Sequence, residues 1–109
     1  MNQGVKTVIY PVKDIAKAKA LFTVLLGKEP YADAPYYVGY KIGGQDIGLD
    51  PNGHKHGMTP YYQVDDIKQS LQALLDAGAT SVQDVTDVGA GKLIAVVKDA
   101  DGNIIGLTQ

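Results

Sequence analysis

Seven tyrosines stand against one phenylalanine and no tryptophan in this chain of 109 residues. Tyr36, Tyr37, Tyr40, Tyr61 and Tyr62 fall in stretches whose alternation reads as strand, so only some of them can pack beneath a helix. A phenol joins a flat apolar face to one hydroxyl. That suits a cavity holding a planar, partly polar organic molecule by stacking and a hydrogen bond. The same rings serve equally well in a core or a subunit interface. Tyr40 and Tyr62 read as core, whereas Tyr37 and Tyr61 stay open between the two roles. Gln63, beside Tyr61, could donate and accept within the same pocket or lie at its rim.

Other candidate chemistry is thinner. His54 and His56 are the only histidines, set as His-Lys-His in a proline- and glycine-rich stretch, and Asp50 precedes them. Together they could form a metal or acid–base site. Imidazoles on a connecting loop lack the supporting shell that such work needs, so a solvated linker is the preferred reading. Asp99 and Asp101 could be paired carboxylates, but the Asp-Ala-Asp-Gly-Asn run accounts for both as turn formers. Gly89-Ala90-Gly91 and Gly102-Asn103 do not lie between a strand and a helix start, which removes a phosphate-cradling role. With no cysteine, there is no disulfide framework, thiolate nucleophile or sulfur metal site.

The elements that position these residues come as a duplication. Thr7 to Asp14, TVIYPVKD, aligns without gaps with Thr59 to Asp66, TPYYQVDD, at an offset of 52. A second echo, Gln45 to Leu49 against Asn103 to Leu107, lies at an offset of 58, which fits one longer loop in the second copy. The repeats span approximately 5–50 and 58–109, with a linker at 51–57, inside one domain. Copies of this size are marginal alone, so they are expected to share an interface or a sheet.

Along the chain, Val5 to Val12 reads as a strand ending near Pro11, and Asp14 as the N-cap of a helix over 15–26 that Gly27 stops. Its apolar positions are Ile15, Ala18, Phe22, Leu25 and Leu26. A connection with a short extended piece around Pro30-Tyr31 leads to a hairpin, Tyr36 to Ile42 and Gln45 to Asp50, turning at Gly43-Gly44. Past the linker come a strand over 59–64, the N-cap Asp66 and a helix over 67–77 that buries Ile67, Leu71, Leu74 and Leu75. Strands over 80–85, 92–98 and 104–109 follow, the last two joined by the Asp-Gly turn.

Hydrophobic content of 45%, charge of 20% and a net charge of −2 are those of an ordinary globule. Scattered lysines argue against a nucleic-acid partner, and no apolar run is long enough to span a membrane. The opening Met1-Asn2-Gln3-Gly4 lacks the layout of a signal peptide, so the expectation is a cytoplasmic protein.

Duplicated βαβββ units with these landmarks resemble the vicinal oxygen chelate superfamily, the glyoxalase/bleomycin resistance/extradiol dioxygenase group. PVKDIAKAKALFTVLLG, QVDDIKQSLQALLDAGA and the ending KDADGNIIGL carry the likeness across the whole chain. It implies an α+β fold: a cupped, mostly antiparallel sheet with helices outside, a ligand cavity inside, and a homodimer. Strand alternation then turns Val8, Tyr10, Val12, Ile47, Leu49, Tyr62, Val64, Ile105 and Leu107 toward the helices. Thr7, Ile9, Pro11, Thr59, Tyr61 and Gln63 face inward, as do Gly48 and Gly106, flanked by Asp46, Asp50, Ile104 and Thr108.

Metal-dependent members of that superfamily take their ligands from positions that align with Thr7, Gly48, Thr59 and Gly106. Glycine offers no donor atom and a neutral threonine hydroxyl is a poor ligand for such metals. No metal and no cofactor are therefore expected, and the reading leans away from an enzyme. It favours a small-molecule-binding protein of the bleomycin-resistance type that sequesters an antibiotic or other planar compound. Its expected ligand-binding residues are Thr7, Ile9, Tyr37, Gly48, Asp50, Thr59, Tyr61, Gln63 and Gly106. The alternative is a metal-dependent lyase, isomerase or dioxygenase with non-standard ligands such as His54, His56 or Asp50. A dimeric scaffold with a vestigial cavity is the third reading.

Overall fold

The two helix starts are built alike. Asp14 and Asp66 are extended residues whose carboxylates each accept from the amide three positions on, Lys17 and Gln69, both at 3.1 Å. Such a bond satisfies an amide that the helix itself cannot, which is why aspartate recurs at this point of the repeat. Helix α1 (Ile15–Leu26) follows the first cap and helix α2 (Ile67–Asp76) the second. Gly27 ends α1 in the left-handed conformation, φ +64°, its amide bonded to the Thr23 carbonyl at 3.0 Å. That φ is costly for any residue with a Cβ, and glycine takes it freely.

The computed structural model describes residues 2–52 and 57–109, and the chain divides into two compact units. The first unit is residues 7–59. The second is residues 60–109 together with 1–6, so strand β1 (Asn2–Pro11) begins in one unit and ends in the other. Gln3 accordingly donates to Asp65 at 3.1 Å.

In the first unit β2 (Ala32–Ala34), β3 (Tyr37–Ile42) and β4 (Gln45–Asp50) are antiparallel neighbours, and β4 runs parallel to β1. In the second, β5 (Thr59–Val64) runs parallel to β8 (Ile104–Thr108). Strand β8 is antiparallel to β7 (Leu93–Lys98), which pairs with β6 (Thr80–Asp87). The fold is thus mixed α+β, two βαβββ units with mostly antiparallel strands, as the repeat implies.

Each unit lays its helix on one sheet face. In the first, Val38, Tyr40 and Leu49 form the buried core, with Tyr10, Val12, Ile15, Ala18, Phe22, Leu26 and Ile47 packed on them. Tyr40 is fully buried, and its hydroxyl meets Thr23 Oγ1 at 2.9 Å and donates to the Lys19 carbonyl at 3.0 Å. Both partners lie on α1, so the phenol fixes the helix on the sheet while leaving no polar atom stranded. In the second unit Val64, Ile67, Leu71, Ala95, Val97 and Leu107 are buried, with Tyr62, Leu74, Leu75 and Ile105 against them. The first amide of α2, Ile67 N, donates to Gln109 Oε1 at 2.7 Å, which ties that helix to the end of the chain.

Three expectations need correction. Leu25 is 69% exposed and shares the outer flank of α1 with Leu21 and Val24. Ile15, Ala18, Phe22 and Leu26 form the buried row; Leu25 has helical spacing to Ala18 and Phe22 too, so periodicity alone could not separate the two flanks. The extended piece placed around Pro30-Tyr31 is a strand at Ala32–Ala34. Proline has no amide to offer a ladder, and pairing starts only with Tyr31 N to the Gly39 carbonyl, 2.9 Å. Strand β6 runs on to Asp87, past the expected end at 85, through two register shifts against β7.

Candidate functional site

Opposite its helix, the first unit presents the odd-numbered residues of β3 and the even-numbered residues of β4. Gly39 pairs with Gly48, Lys41 with Asp46, and on the other side Ile9 pairs with Gly48, Thr7 with Asp46 and Pro11 with Asp50. Two facing glycines leave a trough in the sheet, and the Tyr37 ring fills it. A Cβ built on Gly39 would lie 2.9 Å from Tyr37 Cε2, and one on Gly48 would lie 2.9 Å from Tyr37 Cε1 and closer still to its hydroxyl. Ile9 Cδ1 closes the far side of Gly48, 2.6 Å from the same point. Tyr31 lies beside Tyr37, with ring and hydroxyl atoms 3.1 Å from the Gly39 position.

A charged fringe completes this face. Lys41 Nζ lies 4.7 Å above the Tyr31 ring centre and donates to Asp46 Oδ1 at 3.1 Å. Burial first, then the neighbouring Tyr31, Asp46 and Asp50, push the Tyr37 phenol up to about 12. Tyr37 therefore stays protonated at any physiological pH. It can donate and accept a hydrogen bond but cannot act as an anionic base or nucleophile there. Asp50 keeps one oxygen on the turn that follows, accepting from Asn52 N at 2.8 Å.

The corresponding face of the second unit is filled differently. Tyr61 pairs with Gly106, and its ring covers that glycine, with Cε1 and Cγ 2.7 Å from a built Cβ. Val96, paired with Gly106 from the other side, is buried. Gln63 pairs with Thr108, whose Oγ1 is buried and has no hydrogen-bond partner among the described residues.

Of the expected ligand-binding residues, Tyr37, Ile9 and Gly48 come into direct contact, with Thr7 and Asp50 on the same face of the first unit. Tyr61 and Gly106 touch in the second, with Gln63 one alternation along. Thr59 is buried and donates to the Gly57 carbonyl at 3.1 Å, its hydroxyl occupied by its own backbone. Tyr40 and Tyr62 lie in the helix-side cores, as expected. His54 and His56 fall outside the described residues. Asp99 acts as a turn former: its carboxylate accepts from Asp101 N, Asn103 N and Asn103 Nδ2 at 2.8–2.9 Å. Sequence reasoning missed Tyr31, Gly39 and Lys41. Gly39 is the signal that could have found them, because a glycine inside a strand marks a close approach to the sheet.

Three of the four positions that the resemblance assigns to metal ligands, Gly48, Thr59 and Gly106, offer no side chain to a divalent ion here. At Gly48 and Gly106 the space for a ligating side chain is taken by tyrosine and isoleucine atoms, and Thr59 is turned to its backbone. Among the described residues no group of three or more His, Cys, Asp or Glu could hold a metal.

A cavity of about 330 Å³ in the first unit lies on the other side of the sheet, between α1 and the β2–β3 hairpin. Ile15, Ala34, Pro35 and Val38 line it, with the Lys19–Asp33 ion pair at its edge, and none of the expected ligand-binding residues takes part.

Residues 4–107 match the model of the Glyoxalase/Bleomycin resistance protein/Dioxygenase superfamily. The chain belongs to that superfamily. Among solved structures, a superfamily member from Vibrio splendidus 12B01 is similar at TM-score 0.75 and 19% identity, covering 100% of this chain and 98% of the other. A methylmalonyl-CoA epimerase from Mycobacterium tuberculosis gives TM-score 0.77 at 18% identity, over 98% and 87% of the two chains. One from Streptomyces coelicolor, a single-residue variant in complex with 2-nitronate-propionyl-CoA, gives 0.78 at 14%, over 99% and 94%. At these identities the likeness is one of fold. No curated protein matches the sequence. No helix among the described residues is long and apolar enough to cross a membrane.

Proposed function

We propose that this superfamily member is a metal-free small-molecule-binding protein that sequesters a planar, partly polar organic compound, an antibiotic being the leading class. The observation that carries the reading is the replacement of ligand corners by aromatic rings. Where metal-dependent relatives project a ligating side chain, Gly48 lies under Tyr37 and Gly106 under Tyr61. Aromatic surface with a neutral, hydrogen-bonding phenol grips a ligand, and it supplies neither a Lewis acid nor a base at neutral pH. On this reading Tyr37, Ile9, Gly48, Thr7 and Asp50 form one contact surface, and Tyr61, Gly106 and Gln63 contribute another. The protein works in the cytoplasm as a homodimer.

Two measurements test it. Elemental analysis of the purified protein is expected to find no stoichiometric Zn, Ni, Mn or Fe, and one tightly held ion per subunit would reverse the reading. A thermal-shift screen that includes planar glycopeptide-type antibiotics is expected to yield a stabilising compound. At a free concentration 100 times its Kd such a ligand adds about 2.7 kcal/mol, which corresponds to a shift on the order of 10 °C for a domain of this size. No shift with any class of compound would leave a scaffold with a vestigial site.

A further inference from the structure

We infer that the helix-free face of the first unit takes an organic cation, an aryl-substituted ammonium or amidinium, and that Lys41 holds the cation's place until the ligand displaces it. The inference deepens the binding role proposed above and rests on it. Lys41 is the observation that points to a cation. Its ammonium already lies 4.7 Å above the Tyr31 ring and 3.1 Å from the Asp46 carboxylate, so the protein itself places a positive charge between a π-face and an acid. That pairing of ring and carboxylate is what a cation seeks when it leaves water.

The two partners are not held equally. The Lys41 side chain is 62% exposed and the Asp46 side chain only 23%. The acid is a fixed part of the face, and the lysine is a long, solvated arm in an exposed ion pair of the kind that contributes little. An incoming cation that also covers the Tyr37 and Tyr31 rings gains apolar contact that lysine does not make. Asp50, on the same face beyond Gly48, adds a second carboxylate. Among the described residues of this face, an anion would meet two acids and a single lysine already paired with one of them.

The second unit serves as an internal control. There Lys98 pairs with Ile104, where the first unit pairs Lys41 with Asp46, and Thr108 stands at the repeat position of Asp50. Both acids are absent from that face, so the charge pattern is a property of the first unit and not of the repeat.

The test is an NMR titration of the whole protein with three probes of one shape class: benzyltrimethylammonium, benzyl alcohol and phenylacetate. Each is run on wild type, K41M and D46N, following the Tyr31 and Tyr37 ring signals. Benzyltrimethylammonium is expected to bind about tenfold tighter than phenylacetate. It should tighten a further roughly threefold or more in K41M, where the competing ammonium is gone, and weaken by about as much in D46N. Phenylacetate binding as tightly as the cation, or K41M weakening the cation, would overturn the inference. If benzyl alcohol or phenylacetate moves the ring signals and the cation does not, the cation preference fails while the binding role stands. If none of the three moves them, the cation inference fails, and the thermal-shift screen decides the binding role separately. K41M alters only an exposed side chain, so it keeps the test decisive even where D46N perturbs the strand pair.

Discussion

Across from Gly48 on β3 stands another glycine, Gly39; across from Gly106 on β7 stands Val96. From the opposite side Gly48 meets Ile9, and Gly106 meets Tyr61, the residue at the same place in the repeat. One unit therefore brings its tyrosine in from the hairpin over a double-glycine trough, beside Tyr31, Lys41 and Asp46. The other covers a single glycine with a tyrosine from β5 and backs it with a buried valine. The helix-side cores diverge in the opposite sense. Tyr40, paired with Ile47, stands where Val97 pairs with Ile105, so the first core hangs on one hydrogen-bonded aromatic and the second on aliphatic side chains. The lesson is that a duplicated frame keeps its caps and its strand order while the volume on either side of the sheet is redistributed. The polar, aromatic face sits where the glycines are paired.

The most demanding way to break this comparison is to truncate the two core counterparts. Y40A is expected to cost about 3–5 kcal/mol, because it removes a large buried ring and its hydrogen bonds to α1, and V97A roughly 1–3 kcal/mol. Chemical denaturation of both variants checks this, and equal losses would show that the cores do not differ as described.

A finer comparison adds one methyl to each closing glycine. G106A drives a Cβ into the Tyr61 ring near its root, at Cγ, whereas G48A meets the tip of Tyr37 and the Cδ1 end of Ile9, which can swing aside. A loss of about 1–3 kcal/mol is expected for G106A and a smaller one for G48A. Should G48A prove the costlier, the Tyr37 ring is held more rigidly than the Tyr61 ring.

The smallest effect is spectroscopic. Tyr37 is raised from 10 to about 12, so the folded state binds its proton more tightly than the unfolded state. Its contribution to stability is whole below pH 10 and is lost as pH rises from there through about 12. A tyrosinate absorbance titration is expected to show a late component that Y37F diminishes. A high-pH limb unchanged in Y37F would show that the Tyr37 phenol is not the shifted group.

Much of the frame was legible from local chemistry. The bounds of α1, β4 and β5 and both aspartate caps follow from residues near in sequence, and the observed elements agree. Alternation likewise placed Ile47, Leu49, Ile105 and Leu107 toward the helices. Leu25 escaped that reasoning because two flanks of one apolar helix share the same spacing, and only packing chooses between them.

What residue order settles by itself in this protein is the doubling, the capped helices and the face each strand residue takes, because each depends on interactions within a few positions along the chain. Which tyrosine lies over which glycine, and that Lys41 meets Tyr31 and Asp46 at one point, was decided only in three dimensions. Those contacts depend on hairpin register and on the volume left by a neighbouring strand, and a pattern read along one strand carries neither.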